Sequence, residues 1–197
     1  MVNIVENNFS KNYQKNKNKK QIILTHTSRN ITDYINSVLY RNNGEYDKVP
    51  NFVISRQGEI HRLLPDNAYS NFFKKSDINK NSIIISLENL GWLEKIPIES
   101  GFVNWIGDIY NGDIYEKKWR DYFYWQPYTE AQTNSCISLI RELTNNLNIN
   151  QKFIGHNTKV EYAEKYEGII TYSNFNMEAT CLSPAFDFKF LKNQLEK

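Results

Sequence analysis

Apolar positions along the chain fall into two kinds of pattern. In Gln21-Ile-Ile-Leu-Thr25 and Ser82-Ile-Ile-Ile-Ser-Leu87 they sit on consecutive residues, as in a strand covered on both faces. The second run is apolar enough to be the central strand. Asn51-Phe-Val-Ile-Ser55 and Glu59-Ile-His-Arg-Leu63 flank Arg56-Gln57-Gly58 and predict a hairpin. Phe153 to His156 reads as a further short strand. Helical spacing appears at Ile31, Tyr34, Ile35, Val38 and Leu39, within a segment from Asn30 to Asn43 that Gly44 ends. Thr129-Glu-Ala-Gln132 is a capping box. The helix it opens carries Cys136, Ile140, Leu143 and Leu147 as its apolar stripe. Ser183-Pro184 supplies an N-cap and a first-turn proline, predicting a final helix from about Pro184 to Leu195. Strands alternating with helices predict an α/β fold, a single domain with a central mixed β-sheet flanked by helices.

Two regions depart from these patterns. Residues 91–128 hold all four tryptophans and many tyrosines with little periodicity. They read as an ordered insert on the edge of the sheet, bordering the cleft, because so short a segment cannot cover its own aromatics. Lys11 to Lys20 is the one basic stretch, interleaved with Asn and Gln, and reads as part of a solvated N-terminal arm. The expected organisation is an arm over residues 1–20 and one domain over 21–197.

Charge and composition narrow the function. A net charge of +2 with no concentrated basic face argues against a nucleic-acid binder. No apolar run reaches membrane-span length, and the first residues lack the apolar core of a secretory signal. The expectation is synthesis in a cytoplasm, as a monomer. Two cysteines do not suggest a disulfide framework. Cys136 reads as a core thiol, and His61, inside a hairpin strand, as structural.

The candidate chemistry rests on His26, His156 and Cys181. Both histidines fall where strand meets loop, the edge that active-site groups favour in α/β folds. Two imidazoles and a thiolate make a reasonable tridentate zinc set with a fourth position open. On spacing alone, such strand-end histidines are more often structural.

The local motifs add weight. Ile23-Leu-Thr-His26-Thr-Ser28 resembles the first zinc-histidine motif of the N-acetylmuramoyl-L-alanine amidases shared by phage lysins, recycling amidases and peptidoglycan recognition proteins. Asn51 to Ile60 is similar to that family's hairpin, and Asn81 to Asn89 to its central strand. Tyr128-Thr-Glu-Ala-Gln132 resembles the start of its long helix. Ile154-Gly-His156-Asn157 resembles its second histidine motif, and Cys181-Leu-Ser-Pro-Ala-Phe-Asp-Phe188 its closing motif. The six occur in family order.

The resemblance implies a peptidoglycan hydrolase that cuts the amide bond between N-acetylmuramic acid and L-alanine. Its cofactor would be zinc (Zn2+), held by His26, His156 and Cys181, and its partner peptidoglycan or a muropeptide. Such an enzyme would act on the bacterial wall after release or as a virion component. The alternative is a weak or inactive peptidoglycan-binding module. Asn89, Trp92 and Asn157 flank the motifs as candidate substrate contacts.

The chain also departs from the family. Pro50 replaces a frequent Tyr, Ser86 a frequent Glu, and Ala179 a frequent Lys. The segment from Tyr166 to Phe175 reads as an insertion. Strand alternation puts Ser86 and Glu88 on one face, so Glu88 is the expected general base, with Ser86 placing the water.

Overall fold

The computed structural model describes residues 3–7, 13–96 and 101–196. From the N-terminus, β1 (Ile4–Glu6) and β2 (Gln14–Lys15) precede β3 (Gln21–His26), α1 (Ile31–Tyr40), β4 (Phe52–Ile54) and β5 (Ile60–Arg62). β6 (Ala68–Tyr69), α2 (Ser76–Asn81) and β7 (Ser82–Leu87) follow. The insert supplies β8 (Trp92–Lys95), β9 (Phe102–Val103), β10 (Ile109–Tyr110), β11 (Tyr115–Trp119) and β12 (Tyr122–Trp125). The chain closes with α3 (Glu130–Leu147), β13 (Gly168–Thr171) and α4 (Phe188–Leu195).

The main sheet is mixed, in the order β1-β5-β4-β7-β3-β13. β3 and β7 run parallel from Gln21↔Ser82 to His26↔Leu87, and β7 lies inside the sheet, as its apolar run predicts. Alternate residues serve opposite faces. Ile22, Leu24, Ile83, Ile85 and Leu87 pack with residues of α3 and α4. On the other face, Ile23 and Ile84 meet Ile78 of α2, and Val53 meets Val38 of α1. Helices therefore cover both faces, and the parallel strands carry unbroken apolar runs.

The capping box holds: the Thr129 side chain accepts from the Gln132 backbone, and the Gln132 side chain accepts from the Thr129 N–H. The predicted hairpin forms, with β4 antiparallel to β5. Gly58 in its turn has φ +84°, and a Cβ there would fall 2.9 Å from the Ala131 carbonyl, so the turn needs glycine to pack on α3.

Four expectations need correction. Phe153–His156 is not a strand, since only Phe153 bridges to Ile169. The paired strand is β13, inside the segment read as an insertion, where it runs parallel to β3. α4 starts at Phe188, because the Asp187 side chain caps Phe190 N–H. Ser183 instead closes a turn, its carbonyl accepting from Phe186 N–H. The described part of the N-terminal segment is not a free arm: β1 lies parallel to β5 and β2 antiparallel to β6. Lys19 is buried, with its ammonium bonded to the Lys80 carbonyl; Lys11 and Asn12 lie outside the described residues. Finally, the insert is not attached along an edge strand of the main sheet. It forms its own antiparallel sheet, β10-β9-β8-β12-β11, beside the C-terminal ends of β3 and β7.

Candidate active site

The C-terminal ends of the parallel strands gather the candidate ligands. Thr25, the next-to-last residue of β3, donates its hydroxyl to Cys181 Sγ at 3.0 Å. His26 follows at once. Its Nδ1 lies 3.2 Å from the Tyr128 hydroxyl. His156 Nε2 lies 2.9 Å from the carbonyl of Leu182, the residue after Cys181. Three distant segments thus meet at one strand end.

Each group is held by packing. Gly91 has φ +84°, and a Cβ there would sit 3.0 Å from His26 Cε1. Only a residue without a side chain lets the backbone pass over that ring. The His156 ring is stacked on Phe188 at 4.1 Å and tilted against Trp119 at 4.6 Å. Asn174 donates to the carbonyls of Gly155, His156 and Thr158, which brackets the His156 loop.

Burial sets the electrostatics. It lowers His26 to about 4. It does the same for His156, where the nearby Lys117 and Arg120 charges also lower and the Leu182 carbonyl opposes. Both imidazoles are therefore neutral at neutral pH, the form that ligates metals. Burial pushes the Cys181 thiol up, while the Thr25 hydroxyl, the His26 backbone N–H and the Arg120 charge favour its thiolate. Tyr128 is pushed up by burial first and then by Cys181, so it is a neutral phenol. Cys136, at the foot of α3, is pushed up to about 12 by burial and is the core thiol expected.

The donor types suit zinc. Among the described residues, however, no three His, Cys, Asp or Glu side chains converge closely enough to hold a metal ion as they stand. The Leu182 carbonyl takes up His156 Nε2, which leaves Nδ1 as the ring nitrogen open to a metal.

Glu88 has a different occupation from the one expected. Its Oε1 accepts from Ile31 N–H at 3.0 Å and its Oε2 from Arg56 N–H at 2.8 Å. The residue is 7% exposed. It ties the start of α1 and the hairpin turn to the end of β7, with each oxygen accepting from one backbone donor. Ser86 is fully buried, beside Thr25 in register. The Tyr34 hydroxyl lies near enough to interact with it, yet Ser86 Oγ has no partner in hydrogen-bond geometry.

The expected substrate contacts divide. Asn89 is fully buried; its amide donates to the Gln126 carbonyl and its Oδ1 accepts from Gly91 N–H. It braces the entry to the insert and is closed to a ligand. Trp92 is half-buried and stacked on Tyr122 at 4.5 Å. Asn157 is exposed, with its Oδ1 accepting from Trp119 Nε1–H at 3.0 Å.

Several residues of the site escape a sequence reading. Tyr128 shows there only as the lead-in to a helix. Trp119, Arg120 and Asn174 bind mostly rings and backbone carbonyls, and such partners leave no spacing to read.

A cavity of about 790 Å³ lies elsewhere, lined by residues including Glu6, Tyr13, Arg62 and Asp66. Arg62 lies on β5, three strands across the sheet from β3, so this cavity is set to the side of the sheet away from His26.

The fold is shared with known structures. The amidase LysC from Clostridium intestinale URNW superposes with a TM-score of 0.63 at 20% identity, over 100% of this chain and 99% of that one. The endolysin amidase LysCS from the same organism gives 0.61 at 18%, over 100% and 97%. The amidase AmiD from E. coli, in complex with anhydro-N-acetylmuramic acid-L-Ala-D-gamma-Glu-L-Lys, gives 0.55 at 14%, over 92% of this chain and 58% of that one. No curated protein matches the sequence. The family model for N-acetylmuramoyl-L-alanine amidase matches residues 14–167, a stretch that includes His26 and His156 and stops short of Cys181. The chain belongs to the N-acetylmuramoyl-L-alanine amidase family, whose members are peptidoglycan hydrolases.

Proposed function

We propose that this chain cleaves the amide bond between N-acetylmuramic acid and L-alanine in peptidoglycan, with zinc held by His26, His156 and Cys181. One observation carries the reading: β3 brings Thr25 to Cys181 and places His26 beside it, while His156 reaches the residue after Cys181. Bound zinc supplies Lewis-acid polarisation of the scissile carbonyl and a water acidic enough to ionise near neutrality. The chain's own groups prepare that site. Burial keeps both imidazoles neutral and so available as ligands. The neutral Tyr128 phenol fixes the His26 ring through Nδ1. Phe188 and Trp119 hold the His156 ring between them. Glu88 acts as a positioning carboxylate, anchoring the loops on either side of β7, and does not act as the general base.

The substrate is peptidoglycan or a muropeptide, and the two clostridial neighbours favour a lytic role at the cell wall. A second reading, a binding module without turnover, is supported by Ser86 and Ala179, which stand where the family frequently has Glu and Lys. Zinc content per chain, together with release of stem peptide from purified sacculi, separates the two. The hydrolase holds one zinc and releases peptide, and His156→Ala removes both. A His156→Ala protein with full zinc and full turnover would sink the assignment; sacculus binding without peptide release would establish the second reading.

A further inference from the structure

The tip of the β11–β12 hairpin reaches both loops that carry His156 and Cys181, through two consecutive residues. Trp119 touches the first loop, with its ring against His156 and its indole N–H on Asn157. Arg120 enters the second. Its guanidinium meets four backbone carbonyls: Nη2 donates to Ser173 at 3.1 Å, and the two N–H groups of Nη1 are shared among Asn176 at 3.4 Å, Met177 and Ala179. The same loop is closed on itself by Ser173 N–H donating to the Cys181 carbonyl at 2.9 Å.

Two further features mark Arg120. It has φ +55° in the two-residue turn between Trp119 and Tyr122, a conformation that costs a residue with a Cβ about 1–2 kcal/mol. Glycine or asparagine is the ordinary choice there. The guanidinium also stacks on the Trp119 ring at 4.5 Å. An unfavourable backbone is thus held by a side chain that satisfies carbonyls in a segment with little regular structure. Lysine would not reproduce it: the guanidinium reaches these carbonyls from two nitrogens while its plane lies over the Trp119 ring, whereas an ammonium is a single point on a flexible stem.

We propose that Arg120 is the positioning residue for the loop that carries Cys181, so that the aromatic insert sets the placement of the third candidate ligand. The inference rests on the amidase reading only for its consequence in turnover. Its structural content is that Cys181 stays buried because Arg120 fills the loop.

The test compares Arg120→Ala and Arg120→Lys with the parent chain, as purified and again after chelation. Site-resolved iodoacetamide labelling follows Cys181, with Cys136 in the core as internal control. Loss of the clamp lets the loop open locally, so Cys181 in Arg120→Ala should label at least about tenfold faster with Cys136 unchanged. Peptide release should lose kcat with KM nearly constant. Free guanidinium at millimolar concentration should slow the labelling and restore turnover, while ammonium should not. Cys181 labelling at the parent rate in folded Arg120→Ala overturns the proposal. If that variant fails to fold, Arg120→Lys decides, since parent-like protection and turnover with an ammonium in place overturns it equally. A parent chain that shields Cys181 through Arg120 but releases no peptide would sink the amidase reading and leave this one standing.

Discussion

The two sheets of this protein are stabilised in different ways. The main sheet is mostly parallel, and its inner strands β3 and β7 are buried along nearly their whole length. Helices cover both of its faces, and its side chains do little but fill space. The insert sheet is antiparallel, with strands of two to five residues, and only Trp125 and Leu93 among its strand residues are buried. Tyr115 and Phe123 are 37% and 47% exposed. Yet it is the insert that touches the candidate ligands, through Gly91 on His26, Trp119 on His156 and Arg120 on the Cys181 loop. The main sheet carries the stability and delivers His26. The insert contributes little burial and arranges the remaining groups.

A matched pair of truncations tests this division. Ile85 is fully buried in β7 against the α3 face, so Ile85→Ala should cost about 2–5 kcal/mol in denaturant unfolding. Phe123 is half exposed on β12, so Phe123→Ala should stay within about 0.5 kcal/mol. Comparable losses at the two sites would mean that the insert is as much a core as the main sheet, and the contrast would fail.

Glu88 lies where the two regions join, and it sharpens the comparison next. Its carboxylate accepts two backbone N–H bonds, at the first turn of α1 and in the hairpin turn, while buried. Glu88→Gln keeps the shape but turns an NH2 toward one of those donors. Leaving such a buried donor unsatisfied should cost about 1–3 kcal/mol. Turnover and zinc retention should then fall together, because the loop after His26 loses its anchor. A variant of unchanged stability whose turnover alone collapses would return Glu88 to the role of proton carrier.

What could be read from the sequence follows the same division. The runs at Ile22 to Leu24 and Ile83 to Ile85 announce strands because coverage on both faces makes every position apolar. β13 escapes because Gly168-Ile-Ile-Thr171 holds only two such residues, and its partner residues in β3 lie 147 positions away in the chain. Ser183-Pro184 imitates a helix start, while Asp187 carries an equivalent capping signal a few residues on, and local chemistry cannot choose between them. The residue types of the site were legible because motifs around His26, His156 and Cys181 carry them. Alternation put Glu88 on the face of Ser86 but said nothing about what its oxygens meet. Arg120 could not be foreseen, since its partners are carbonyls, which every residue has.

The smallest effect concerns pH, and it isolates the two histidines from both sheets. Burial lowers His26 and His156 from 6.5 to about 4, so the folded chain holds both rings neutral while the unfolded chain takes up protons near 6.5. Through that window the unfolded state binds more protons, and stability rises with pH. The contribution is therefore complete above about 6.5 and is lost as pH falls toward about 4. Both rings keep some solvent contact, which moderates the loss. Between about pH 7 and pH 6 the melting temperature of the metal-free chain should drop by only about 2–4 °C. A His156→Phe variant should show a smaller drop, because one of the two rings no longer titrates and the phenyl ring still fills the gap between Trp119 and Phe188. An undiminished drop in that variant would place the pH dependence elsewhere and would remove His156 from the set of buried neutral imidazoles.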